Sequence, residues 1–228
     1  MDYQPLAWQG NRIRSKLTSW LLLGLVCALV LSGCLPSSPP PLSLVPPEEL
    51  TLYEHIVVTA RREVEKGVRY DASYRAIPFP MGDVPPDIGC CTDVVVRALR
   101  GAGFDLQELI YEDMKEDFSA YPQLWGHTGP DPNIDHRRIP NQMTFFERHG
   151  QQLPLGLTGE DLATWQPGDI VYWHAPGREQ HCGIITEQTG RSGLPLVIHN
   201  GSITKEEDCL GRWPIIGHFR FPPQDESS

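Results

Sequence analysis

The sequence predicts an α+β fold in which N-terminal helices pack on a C-terminal antiparallel sheet. Three observations support this. Apolar residues recur at helical spacing before residue 150, short β-branched and aromatic runs crowd the chain after Thr164, and glycine and proline turns separate those runs. Helices first and strands afterwards is the order of an α+β protein, not the alternation of a parallel sheet. With 228 residues and 40% hydrophobic content, the chain can build one ordinary core.

The N-terminus reads as an export signal. Arg12, Arg14 and Lys16 precede an uncharged apolar run from Leu17 to Leu31, which is shorter than the roughly 20 residues a membrane-crossing helix requires. The run ends in Leu31-Ser32-Gly33-Cys34. This resembles the lipobox of bacterial lipoproteins and makes residues 1–33 a signal peptide and Cys34 the lipidated first residue of the mature chain. The resemblance implies an exported protein held to the cell envelope by its acyl chains alone. Leu35 after the cysteine points to the outer membrane, facing the periplasm, in a Gram-negative cell. Residues 34–47, proline-rich after the cysteine, read as a stiff tether, and 48–228 as the folded domain. Cleavage would remove three basic residues and one acidic one from a chain of net charge −10, leaving −12. Such an acidic surface argues against nucleic acid as a partner.

Within the domain, Leu52, Ile56, Val57 and Ala60 place a helix over 48–66, stopped by Gly67. Four prolines between Pro78 and Pro86 make 70–87 irregular. A second helix is expected from about Cys91 to Gly101, a third over 106–118, a polar loop over 126–140 and a short helix over 142–149. Strands are expected from Asp169 (DIVYW), His181 (HCGIIT), Leu196 (LVIHN) and Ile215.

Cys91 opens the second helix, where free backbone N–H groups and the helix dipole favour a thiolate and could bind an oxyanion. His181 and His199 sit in strands among apolar residues, and an imidazole near a thiolate can shuttle its proton while a second group orients the ring. Cys90 is the alternative nucleophile. Cys90, Cys91, His181 and Cys182 could also be read as zinc ligands, but no CxxC or HxxxH spacing presents two ligands from one element, so no metal or cofactor is expected. In an oxidising compartment Cys90, Cys182 and Cys209 would supply one disulfide and one buried thiol, with Cys182 on the strand face opposite His181.

A helix-borne cysteine, the Gln166-Pro167-Gly168-Asp169 strand, the His181 strand and the His199 strand, in that order, resemble the NlpC/P60 branch of the papain-like cysteine peptidases. More closely, GDVPPDIGCCTDVVVRAL, DHRRIPNQMTFF, QPGDIVYWH and IHNG resemble the uncharacterised bacterial family DUF1287, which is grouped with those peptidases, across about Leu52 to Pro222. The resemblance implies a papain-like fold of NlpC/P60 type, with Cys91 as nucleophile, His181 as base and His199 as the residue orienting it. The implied activity is hydrolysis of an amide or peptide bond, in peptidoglycan stem peptides or another peptide substrate. Thr92-Asp93 replaces the Ser-Gly that usually follows the cysteine there. The competing reading is a non-catalytic envelope lipoprotein that binds the wall or a partner through the same groove.

Substrate contacts are expected from Tyr70 or Tyr74, upstream of the nucleophile, and from Asp93. The polar loop adds Asn133, Asp135 and Arg137 as candidate lining.

Overall fold

The computed structural model describes residues 41–177 and 180–224. The signal-peptide and Cys34 readings, and most of the tether, lie outside the described residues. From Pro41 onward the chain is not a tether: Leu42–Leu44 and Pro47–Glu49 are short 3-10 turns, and Leu42 is buried in the main core. One leucine among prolines suffices to dock this segment, because burying such a side chain is worth about 2 kcal/mol.

Helix α1 runs over Leu52–Lys66, starting from a reciprocal Thr51–Glu54 capping box and ending at Gly67 in the left-handed conformation. Helix α2 spans Cys91–Gly101, α3 Leu106–Glu116, α4 Ile139–His149 and α5 Gly159–Ala163. Two residues each form β1 (Arg69–Tyr70) and β2 (Ile88–Gly89), a parallel pair. The main sheet holds β3 (Gln151–Gln152), β4 (Ile170–Trp173), β5 (His181–Thr189), β6 (Pro195–Asn200), β7 (Thr204–Glu207) and β8 (Ile215–Arg220). Its order is β3-β8-β4-β5-β6-β7 and every pair is antiparallel. The fold is α+β.

Alternation of side chains gives the sheet two buried faces. Ile184, Ile198 and Phe219 meet α1 and α2 through Ile56, Val57, Ala60, Val95 and Leu99. On the other face Val171, Trp173, Ile185 and Val197 pack with Trp165, Cys209 and Leu210. The helix face carries the larger core.

Two local devices hold the elements that matter for the site. In the Pro167-Gly168-Asp169 turn, Gly168 has φ +88°, and a Cβ there would lie 2.8 Å from the Tyr53 carbonyl oxygen at the start of α1. Asp169, fully buried, accepts from Arg220 Nε (2.7 Å) and from the Gln166 amide (2.8 Å), locking β4 to β8. Arg97 of α2 donates to Glu63 of α1 (2.7 Å) and to Asp83 (2.9 Å), and it reaches the carbonyls of Val84, Pro85 and Ile88. It therefore pins the irregular segment that leads into Cys91.

Candidate active site

Cys91 is the first residue of α2, as its place after the proline break predicts. Asp93 makes that helix start possible. Its carboxylate accepts from the Cys90 amide (2.6 Å) and from both Nε (2.8 Å) and Nη2 (2.9 Å) of Arg137, whose Nη1 reaches the Ser73 carbonyl (3.0 Å). Gly89 lets the chain pass close by, since a Cβ there would lie 3.1 Å from Asp93 Cβ. Asn200 of β6 donates to the carbonyls of Gly89 (2.9 Å) and Val68 (3.2 Å), tying the histidine-bearing sheet to the approach of the cysteine helix.

The two neighbouring thiols are driven in opposite directions. Cys91 is held well below the ordinary thiol value, first by the hydrogen bond from Cys182 and, against the cost of burial, by hydrogen bonding and charge from His181. Cys90 is pushed up to about 12 by burial, then by the negative charge of Asp93. Cys182 is also raised well above the ordinary value by burial, so it remains the S–H donor to a Cys91 thiolate. Of the pair, Cys91 is the thiol shifted toward its ionised form and Cys90 the one shifted away from it.

His181 begins β5 and is 1% exposed. Its ring lies nearly parallel to Trp173, at 5.8 Å and 19° between planes, with Trp213 edge-on at 5.7 Å. Its Nε2 lies 2.8 Å from His199 Nδ1, so the structure brings together Cys91, His181 and His199. Gly183 makes this approach possible, because a Cβ there would meet Val197 Cγ1 at 2.6 Å and the Ile198 carbonyl oxygen at 2.8 Å.

The chain of contacts continues one residue further than the sequence suggested. His199 Nε2 lies 2.8 Å from Glu207 Oε1 on β7. Burial works to raise the Glu207 carboxyl, but hydrogen bonds from Arg212 (2.6 Å), Lys205 (2.8 Å) and His199 outweigh it and hold the group at about 2. Burial, reinforced by His181, lowers His199 to about 4 despite Glu207. A cavity of about 250 Å³ opens beside these groups, lined among others by His181, His199, Ser202, Lys205 and Trp213.

Among the described residues, His199, Glu207 and Cys209 bring ligand-type atoms within 4.8 Å of one another. Arg212 and Lys205 already occupy the Glu207 carboxylate, so a metal ion would compete with two cations there. All four described cysteines are free thiols. The expected disulfide among Cys90, Cys182 and Cys209 is therefore not formed: Cys182 hydrogen-bonds to Cys91, while Cys209 sits in the core on the other face of the sheet.

The remaining candidates separate into surface and interior. Tyr70 (39% exposed) lies on β1, its amide donating to the Ser202 carbonyl (2.7 Å), which places it between the cysteine approach and the cavity rim. Tyr74 is exposed and its hydroxyl donates to Asp131 (3.2 Å). Asn133 is occupied by the Ile77 amide and Asp131. Asp93, Asp135 and Arg137 are corrected from groove lining to interior framework. Each is almost fully buried, and their hydrogen bonds go to the protein itself, Asp135 to Arg138 and the Asp131 amide. The polar stretch around them is an internal ion-paired layer because charges can be buried when they are paired.

The family model described as "Domain of unknown function (DUF1287)" matches residues 57–221. The curated Uncharacterized protein YijF of Escherichia coli (strain K12) is 44% identical over 163 residues, 71% of this chain and 78% of that protein. Among solved structures, NlpC1 from Trichomonas vaginalis is similar at 16% identity and a TM-score of 0.40, over 75% of this chain and 44% of that chain.

Proposed function

We propose that this chain, which belongs to the DUF1287 family, is a cell-envelope cysteine hydrolase that cleaves amide bonds, with peptidoglycan stem peptides as its substrate. The observation that carries this reading is the thiol of Cys91, set at a helix N-terminus against His181, whose hydrogen bonding and charge, with Cys182, lower it well below the ordinary thiol value. In this reading the thiolate attacks the amide carbonyl, the oxyanion forms near the free N–H groups at the start of α2, and His181 protonates the leaving amine. Water then releases the acyl group with His181 as base. His199 orients His181. Cys34 anchors the enzyme by its acyl chains, at the outer membrane in a Gram-negative cell, where the peptidoglycan layer lies within reach.

The test is digestion of purified sacculi by the full chain, with the released muropeptides identified by mass spectrometry. New cleavage products that vanish in Cys91→Ala support the reading. Sacculi left unchanged by wild-type protein whose Cys91 also fails to react with iodoacetamide near pH 7 would overturn it and favour a wall-binding lipoprotein.

A further inference from the structure

Glu207 lies outside the three residues named as nucleophile, base and orienting group, yet its carboxylate bounds their hydrogen-bond chain. An ionised carboxylate can only accept. His199 Nε2, 2.8 Å from Glu207 Oε1, must therefore carry the proton and donate it. A neutral His199 then has a bare Nδ1, which can only accept, and its partner 2.8 Å away is His181 Nε2. His181 must donate from Nε2, so when neutral it has no proton on Nδ1. That atom is buried and, among the described residues, is the one ring nitrogen of the two histidines without a nitrogen or oxygen hydrogen-bond partner, while Cys91 is the thiol whose acidity His181 raises. The direction of both hydrogen bonds is set by a Glu207 carboxylate that cannot donate.

We propose that Glu207 is a positioning residue which, through two imidazole rings, fixes His181 in the tautomer whose bare Nδ1 takes the proton of Cys91. The inference rests on the reading of Cys91 and His181 as nucleophile and base. The surroundings fit it. Arg212 Nη1 (2.6 Å) and Lys205 Nζ (2.8 Å) keep the carboxylate ionised, and His199 is buried enough to stay neutral. The backbone register fits too: Lys205 lies opposite His199 across β6 and β7, so Glu207 is its diagonal neighbour on the same face.

The isosteric substitution gives the sharpest test. Arg212 and His199 share Oε1 of Glu207 while Lys205 holds Oε2, so in Glu207→Gln made together with Arg212→Ala the amide oxygen stays with Lys205 and the NH2 group faces His199 Nε2. That nitrogen must then accept, both rings exchange tautomers, and His181 presents a protonated Nδ1 to Cys91. In Glu207→Ala, water from the adjoining cavity can donate or accept, so the chain is only loosened. For alkylation of Cys91 by iodoacetamide at pH 7, all in the Arg212→Ala background, the expected order is unaltered Glu207, then Ala, then Gln, with Gln about a hundredfold below unaltered Glu207. A side chain needed only for packing would give the opposite order, with the isosteric Gln nearest unaltered Glu207, and that order overturns the proposal.

A second measurement does not depend on reactivity. Nitrogen NMR of the full chain in detergent, labelled at histidine, in a Cys91→Ala background where no ion pair can form, should show both His181 and His199 protonated on Nε2. Adding Glu207→Gln together with Arg212→Ala should move both protons to Nδ1. Protonation of His181 on Nδ1 without those substitutions overturns the proposal even if no Glu207 variant folds. If wild-type Cys91 alkylates no faster than an ordinary thiol, the hydrolase reading falls and the proposal with it. A fast wild type with unaltered Glu207 variants overturns the positioning role alone.

Discussion

His199 of β6 and Glu207 of β7 face each other diagonally across an antiparallel pair, 2.8 Å apart, because a three-residue turn sets Asn200 opposite Thr204. Glu206, one position away, points to the other face, where it meets Arg61 of α1 at 2.8 Å. A short charged strand thus serves the helix layer with one residue and the histidine pair with the next.

The contrast between adjacent cysteines yields a labelling prediction. With Cys91 held well below the ordinary thiol value and Cys90 pushed up to about 12, iodoacetamide near pH 7 should modify Cys91 alone among the four described cysteines. Peptide mass spectrometry of the labelled protein checks this. Label on Cys90 in native protein would contradict the assignment of the thiolate.

Acid should weaken the fold before its carboxylates titrate. His136 and His199 are each lowered to about 4, chiefly by burial, whereas the unfolded chain carries histidines near 6.5. Between pH 6.5 and 4 the unfolded state binds more protons, so stability is complete above about 6.5 and falls as the pH drops through that window. Each histidine contributes up to about 3 kcal/mol. Urea unfolding at pH 6.5 and pH 5 should show the loss, and His136→Gln, away from the cysteine, should flatten the slope.

Removing the charge of Asp93 should be costly. Asp93→Asn leaves Arg137 buried with its main partner neutralised, a loss expected at about 3 to 5 kcal/mol. Arg137→Met combined with Asp93→Asn should cost less than the two single losses added together. Chemical denaturation of the four proteins gives the coupling directly.

Gly183→Ala is a one-carbon change aimed at the strand pairing. The added Cβ would press on Val197 and on the Ile198 carbonyl, forcing β5 from β6 where they carry His181 and His199. A loss of about 1 to 3 kcal/mol is expected, together with slower alkylation of Cys91. Thermal unfolding and the labelling rate would read the two effects separately.

Much of this was legible in the sequence because it is written locally. The apolar spacing of α1 to α3, the runs of β4, β5, β6 and β8, and the order of Cys91, His181 and His199 all appear as short-range patterns. Strand β7, Thr204-Lys205-Glu206-Glu207, has no apolar alternation, since its faces are filled by ion pairs, and so Glu207 was missed. The Asn200-Gly201 turn after an apolar strand was the available clue, because it marks a hairpin and sets the register. The stretch from Asn133 to Arg137 read as polar groove lining for a related reason: its buried partner, Asp93, lies 44 residues earlier. The proline-rich approach hid Leu42 by its composition.

The groups that lower the Cys91 thiol lie about ninety positions further along the chain, on β5, while the Asn200 clamp on its approach spans 111 residues. Until those distant segments have met, Cys91 is an ordinary cysteine that is mostly protonated near neutral pH. Reactivity is therefore acquired at the end of folding, together with the topology. A chain that has not yet folded carries no exceptional nucleophile, and the shifted thiol of Cys91 exists only once the domain around it has closed and left it 6% exposed.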